Sequence, residues 1–202
     1  MTGLSIRPAR LDDARDILDI YAYYVESTVI SFEVQTPSLD EFRQRMAGIM
    51  DDYPYLVCEC AGKLVGFAYS HRHMERAAYQ WNAELSVYLD KDFTGRGAGK
   101  AMYRALIGIS RLQGLHNLYA CLALPNPASE GLHRSLGFQP CGVFPKSGYK
   151  FGAWRDMGWF GLRIAGAMDA ADGSEAAPAA PIPMSALDAA KVGAVLKDAV
   201  SI

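Results

Sequence analysis
Apolar and polar positions alternate at the start of the chain, Leu4-Ser5-Ile6-Arg7, and predict a first strand that Pro8 ends. The period then changes. Ala14, Ile17, Leu18, Tyr21, Tyr24 and Val25 share one side of a helix over residues 11–25, with Asp12 and Asp13 in its first turn, where the helix dipole favours acids. Residues 27–36, containing Ser31-Phe32-Glu33, read as a loop, and a second helix is predicted over 39–50 after Pro37-Ser38. Strands follow at 55–60 and 64–69 around the turn Ala61-Gly62-Lys63. A polar, basic connection over 71–79 leads to a strand over 81–89. Then come a helix over 100–113, a strand over 118–122, and a short helix over 126–136 stopped by Gly137. Two strands near 139–145 and 154–163 finish the series. The order β-α-α-β-β-β-α-β-α-β-β predicts an α/β domain with a mixed central sheet flanked by helices.

Composition changes this picture only after residue 163. Ala, Pro and Gly dominate from 165 to 183, and no aromatic residue follows Phe160. The chain therefore divides into a domain over 1–163 and an Ala/Pro-rich tail over 164–202. Ser185 is positioned to cap a last short helix with a narrow stripe at Val192, Val195, Leu196 and Ala199. The tail reads as solvated or loosely docked, and dispensable. Half of the 202 residues are hydrophobic and the net charge is −2, which leaves no basic field for nucleic acid. The four cysteines show no C-x-x-C; no signal peptide or membrane-length apolar run occurs, and a reducing cytoplasm is the expected home. His71-x-His73 lacks a third metal ligand, so no metal is expected.

The chemistry concentrates where the strand over 81–89 enters Thr94-Gly95-Arg96-Gly97-Ala98-Gly99-Lys100 and a helix. Strand, glycine loop and helix start together suit an anion, because free N–H groups and the helix dipole both point at it. A P-loop requires four residues between its first Gly and Gly-Lys-Ser/Thr; Gly95 and Gly99 enclose three, and Ala101 has no hydroxyl. A dinucleotide G-x-G-x-x-G starting at Gly95 would need Gly where Lys100 stands. The remaining pattern, x-x-x-G-x-G, resembles the coenzyme A pyrophosphate loop of GNAT acyltransferases.

Further segments carry the same resemblance: Tyr79-Gln80-Trp81-Asn82-Ala83-Glu84 before Ser86-Val87-Tyr88-Leu89, then Pro125-Asn126, Leu132-His133-Arg134-Ser135-Leu136-Gly137-Phe138, and Gly148-Tyr149-Lys150-Phe151-Gly152-Ala153-Trp154-Arg155-Asp156. Together they resemble the phosphinothricin N-acetyltransferase family of the GNAT superfamily over residues 4–163. The resemblance implies acetyl-CoA as co-substrate, a small amino-acid-like amine as acceptor, and a homodimer. The alternative acceptors are methionine sulfone or sulfoximine, another amino acid, or a polyamine. A non-catalytic acetyl-CoA-binding module is the reading of a different class, and Glu84 argues against it.

An amine acceptor must lose a proton, and Glu84 stands by resemblance where a carboxylate takes it. Backbone N–H groups of Val87, Tyr88 and Leu89 face the thioester oxygen and the pantetheine arm. Thr94, where relatives carry glutamine or arginine, belongs with Gly95, Arg96, Gly97, Ala98, Gly99 and Lys100 to the pyrophosphate loop. Asn126 caps a helix and reaches toward pantetheine, with Ser135 further along the same helix. His133 resembles the family's helix histidine and is the second catalytic candidate. Phe138 occupies a place where some relatives carry a tyrosine acid, and phenylalanine donates no proton. Arg76 is the expected clamp for an acceptor carboxylate, Phe32, Tyr79 and Trp81 the expected walls, and His71, Arg72 and His73 add titratable or positive character.

Overall fold
The structure is a computed structural model that describes residues 3–165 and 178–201. Seven strands form one sheet in the order β1-β2-β3-β4-β5-β7-β6. They are β1 (Leu4–Pro8), β2 (Tyr55–Cys60), β3 (Lys63–Arg72), β4 (Asn82–Leu89), β5 (Asn117–Leu124), β6 (Gln139–Lys150) and β7 (Ala153–Arg163). Every neighbouring pair is antiparallel except β4 and β5. Helices α1 (Ala14–Ser27) and α2 (Leu39–Met50) cover one face, while α3 (Ala98–Leu112) lies on the other, with α4 (Pro127–Ser135) and α5 (Ala189–Val200) following it in the chain.

The alternation of each strand divides the core. Val57 and Phe67 pack with Ile17, Val25, Phe42 and Met46 under α1 and α2. Leu56, Ala68, Leu85 and Leu118 pack with Met102, Leu106 and Phe138 on the α3 face. The predicted stripe of α1 is its buried face. Ser38 and Glu41 close a reciprocal cap at the start of α2.

Two strands run further than their sequence pattern suggests. β3 continues to Arg72 because β4 pairs with it to that point. β6 continues to Lys150 through register breaks at Pro140/Gly142 and Phe144/Gly148. It is the edge strand, where Pro140 and Pro145 cost no ladder bond to an outer neighbour.

The tail is the main correction. Residues 166–177 of the expected linker lie outside the described residues, but the segment after them is not loosely docked. Val192, Leu196 and Ala199 are buried in the α3-side core. Gly108 of α3 leaves the groove that receives α5: a Cβ there would stand 2.5 Å from a methyl of Val195. The cap is Asp188, whose carboxylate accepts from Ala190 N and Lys191 N, and not Ser185. Before the helix, Ile182 N donates to Gln113 O (2.8 Å), Met184 N to Asp52 O (3.1 Å) and Ser185 N to Asp51 O (3.0 Å). Gln113 returns Nε2 bonds to Asp52 O and Ile182 O.

Candidate active site
β4 and β5 pair over three positions only, Asn82/Asn117 to Glu84/Tyr119. Beyond Glu84 the strands part, and a cleft opens between them. Leu85, Ser86, Val87 and Tyr88 line one side, and Cys121, Leu122, Ala123 and Asn126 the other. Asp90 N bonds back to Val65 of β3, so ladder alternation turns the N–H groups of Leu85, Val87 and Leu89 toward the opened side. Leu89 N already donates to Tyr24 Oη at 3.3 Å. Leu85 and Val87 therefore present the strand donors facing the cleft. Tyr88 lends its ring to the opposite cluster, 5.0 Å from Tyr21 and 5.2 Å from Phe67.

Between β4 and α3 the glycine loop leaves its backbone open to close approach. Gly95 and Gly97 hold φ of 73° and 83°, and Gly97 is the cap residue of α3. Ala101 N makes the first helical bond, to Gly97 O, which leaves the amides of Ala98, Gly99 and Lys100 free of helical partners. Arg96 lies over the Phe93 ring at 4.9 Å, and Thr94 Oγ1 turns back to Lys91 O. At Gly99 a Cβ would make ordinary contacts, 3.6 Å from Leu132 and 3.7 Å from Leu89, so packing there does not demand glycine. Asn126 Oδ1 caps α4 through Ser129 N, and its side chain borders the cleft. Ser135 is exposed and bonds to Leu132 O of its own helix.

Glu84 points to the face away from α3, since its neighbours Ala83 and Leu85 pack in the α3-side core. Glu84 stands beside Tyr119, with His73 Nδ1 at 3.6 Å from Glu84 Oε2. Phe32 packs onto Gly148, where a Cβ would come within 2.3 Å of its ring. Buried Lys150 donates to Ser31 O at 2.6 Å and fixes the same loop to the end of β6. Burial lowers the Lys150 pKa. Trp81 is not an acceptor wall. Its indole N–H donates to Ala179 O at 2.7 Å, tying the tail to the start of β4. Arg76 and Tyr79 are exposed on the β3–β4 connection, where Arg76 caps a single turn. Among the described residues no group of three or more His, Cys, Asp or Glu side chains could hold a metal.

Tyr103 is the residue the sequence pattern hid. It is buried within α3, yet it also lines the cleft. His133, also lining the cleft and fully buried, donates from Nδ1 to Ser129 O at 2.7 Å. Its Nε2 is therefore the acceptor for the Tyr103 hydroxyl at 2.8 Å. Burial lowers the His133 pKa, opposed by the Ser129 bond. Burial, with Glu84 adding to it, holds the Tyr103 proton well past the ordinary tyrosine range. Phe138, 5.2 Å from the His133 ring, packs this pair from the side. A hydrogen-bonded Tyr103–His133 pair thus stands beside the cleft although position 138 has no hydroxyl.

The chain matches the family described as "Acetyltransferase (GNAT) domain" over residues 6–159. It belongs to the GNAT acetyltransferases. A phosphinothricin N-acetyltransferase of Alcaligenes faecalis is 39% identical over 154 residues, 75% of this chain and 78% of that protein. An L-methionine sulfoximine/L-methionine sulfone acetyltransferase of Pseudomonas paraeruginosa is 37% identical over 163 residues, 79% of this chain and 94% of that protein. The GNAT superfamily phosphinothricin acetyltransferase of Sinorhizobium meliloti, solved with acetyl-CoA, superposes with a TM-score of 0.82 at 30% identity, covering 92% of this chain and 98% of that one. GNAT membership makes the chain an acetyl-CoA-dependent N-acetyltransferase.

Proposed function
We propose that the chain acetylates the amino group of a phosphinothricin-like amino acid, with methionine sulfoximine and methionine sulfone as acceptors of the same class. The observation that carries this is the parting of β4 and β5 immediately beyond Glu84. The pantetheine arm adds to the opened edge of β4, and the Leu85 and Val87 amides face the thioester. The pyrophosphate rests on the amides at the start of α3. Glu84 takes the ammonium proton, directly or through water, and the neutral amine attacks the thioester carbon. The C–S bond breaks as the amide forms. The leaving thiolate takes its proton from water, while the Tyr103–His133 pair, its hydrogen bond turned inward, packs the base of the cleft. An amino-acid acceptor suits the site better than a polyamine, because the neighbouring carboxylate Glu33 is already held by Tyr21 and Arg45. Arg76 and Phe32 belong to the acceptor side in this reading. A homodimer in the cytoplasm completes it, supported by the exposed Val143, Phe144, Tyr149, Phe151 and Trp154 on the β6–β7 hairpin.

Glu84→Gln tests the base. At pH 7 an alkylammonium of pKa near 10 is only about one part in a thousand free amine, so most turnover disappears while acetyl-CoA binding stays. Activity returns in part at high pH, where solvent has already removed the proton. An unchanged kcat/KM at pH 7 in a thiol-release assay with phosphinothricin refutes the assignment.

A further inference from the structure
Three side-chain nitrogens on the Glu84 face of the sheet are buried without a hydrogen-bond partner: His73 Nδ1, Arg155 Nε and Trp159 Nε1. Their positions follow from the sheet. Trp159 pairs across to Cys121, which lines the cleft, and Tyr119 stands beside Glu84. His73 stacks on Tyr119 at 4.4 Å and meets Trp159 edge-on at 5.4 Å. Its side chain is 11% exposed, and 3.6 Å is too long for a hydrogen bond to Glu84. Arg155 lies on the same face of β7, four residues nearer the hairpin end, opposite Gly148, where Phe32 packs. A buried N–H left unmade is costly, and folded proteins rarely tolerate several on one wall.

We propose that these donors receive an oxyanion of the acceptor. The ammonium of the substrate faces Glu84, and a negatively charged group of the same molecule accepts from Trp159 Nε1 and His73 Nδ1. Arg155 supplies the formal positive charge at the Phe32 end. The site then selects acceptors carrying both charges and rejects simple amines, which would leave the donors unpaired and buried. The oxyanion is either the α-carboxylate or a phosphinate on the side chain; both offer charged oxygens to N–H groups. The inference rests on the acceptor-side reading of Glu84, and binding is measured separately from turnover so that the two can fail independently.

Trp159→Phe removes the indole N–H and keeps an aromatic ring against His73. Calorimetric affinities in the presence of coenzyme A, and KM values, are compared for three probes: phosphinothricin, methionine sulfone, and the α-amide of methionine sulfone. Loss of a hydrogen bond to a charged group predicts roughly 10- to 100-fold weaker binding of the acids, with the KM for acetyl-CoA unchanged. A loss for both acids, with the amide spared, assigns the α-carboxylate. A loss for phosphinothricin alone assigns the phosphinate. Arg155→Gln is expected to weaken the same probe as Trp159→Phe. Equal weakening of all three probes overturns the proposal, as does unchanged binding accompanied by a change in oligomeric state, which would assign these donors to a partner chain. If Glu84→Gln leaves turnover intact but the acid-selective loss appears, the oxyanion site stands and the base assignment falls.

Discussion
Leu196→Ala probes whether α5 is part of the folded domain. Leu196 is 9% exposed and packs in the α3-side core with Val192 and Ala199. Truncation removes three carbons, about 2.4 kcal/mol of burial at ~0.8 kcal/mol each. Incomplete collapse of the vacated space raises the total to about 3 kcal/mol. For a chain of this length each kcal/mol moves Tm by roughly 2–4 °C, so the midpoint should fall by about 6–12 °C. The assay is a thermal melt followed by circular dichroism, at matched concentration without ligand. Lys197→Ala, on the exposed side of the same helix, is the control and should stay within about 0.5 kcal/mol of the parent. A chain ending at Arg163 loses all of α5 and the Trp81–Ala179 bond, and should melt lower still or aggregate. A Leu196→Ala midpoint that stays at the parent value, or a truncated chain that melts like the full one, would show that the packing of α5 on α3 contributes no stability.

Gly97→Val should raise the KM for acetyl-CoA about tenfold or more with little change for the acceptor, since φ of 83° at the cap of α3 strains any β-branched residue and a Cβ crowds the anion; equal kinetics in a folded variant would remove the pyrophosphate from this loop. His133 is held below its ordinary 6.5 by burial, so the unfolded chain binds the extra proton first as pH falls. Its contribution to stability is full above 6.5 and declines below it, and melts between about pH 7.5 and 5.5 should show a slope that His133→Gln reduces; an identical slope in the variant would mean the imidazole is not the titrating group.

Periodicity and punctuation were enough to place the helices and strands from β1 to β7 in order, because each of those segments buries one face and displays it in its own spacing. The glycine turn before α3 was legible for a similar reason: Gly95, Gly97 and the helix after them act locally, through backbone geometry that neighbouring residues specify. Glu84 and Asn126 were singled out as candidates by their places in a family pattern. Other assignments needed the fold. Trp81 and Glu84 are close in sequence, but the Trp81 indole is claimed by Ala179, far along the chain. Tyr103 looks like one more apolar helix residue until His133 is brought against its hydroxyl from another helix. The donors His73 and Trp159 lie apart in the sequence and meet only because β5 stands between them, with Tyr119 stacked on one and Cys121 paired with the other. α5 carries few large side chains, and its docking depends on a groove at Gly108 that belongs to a different element. Local preference depends on residues near in sequence, whereas a pocket, a buried proton or a docked helix depends on residues that only the closed sheet brings together.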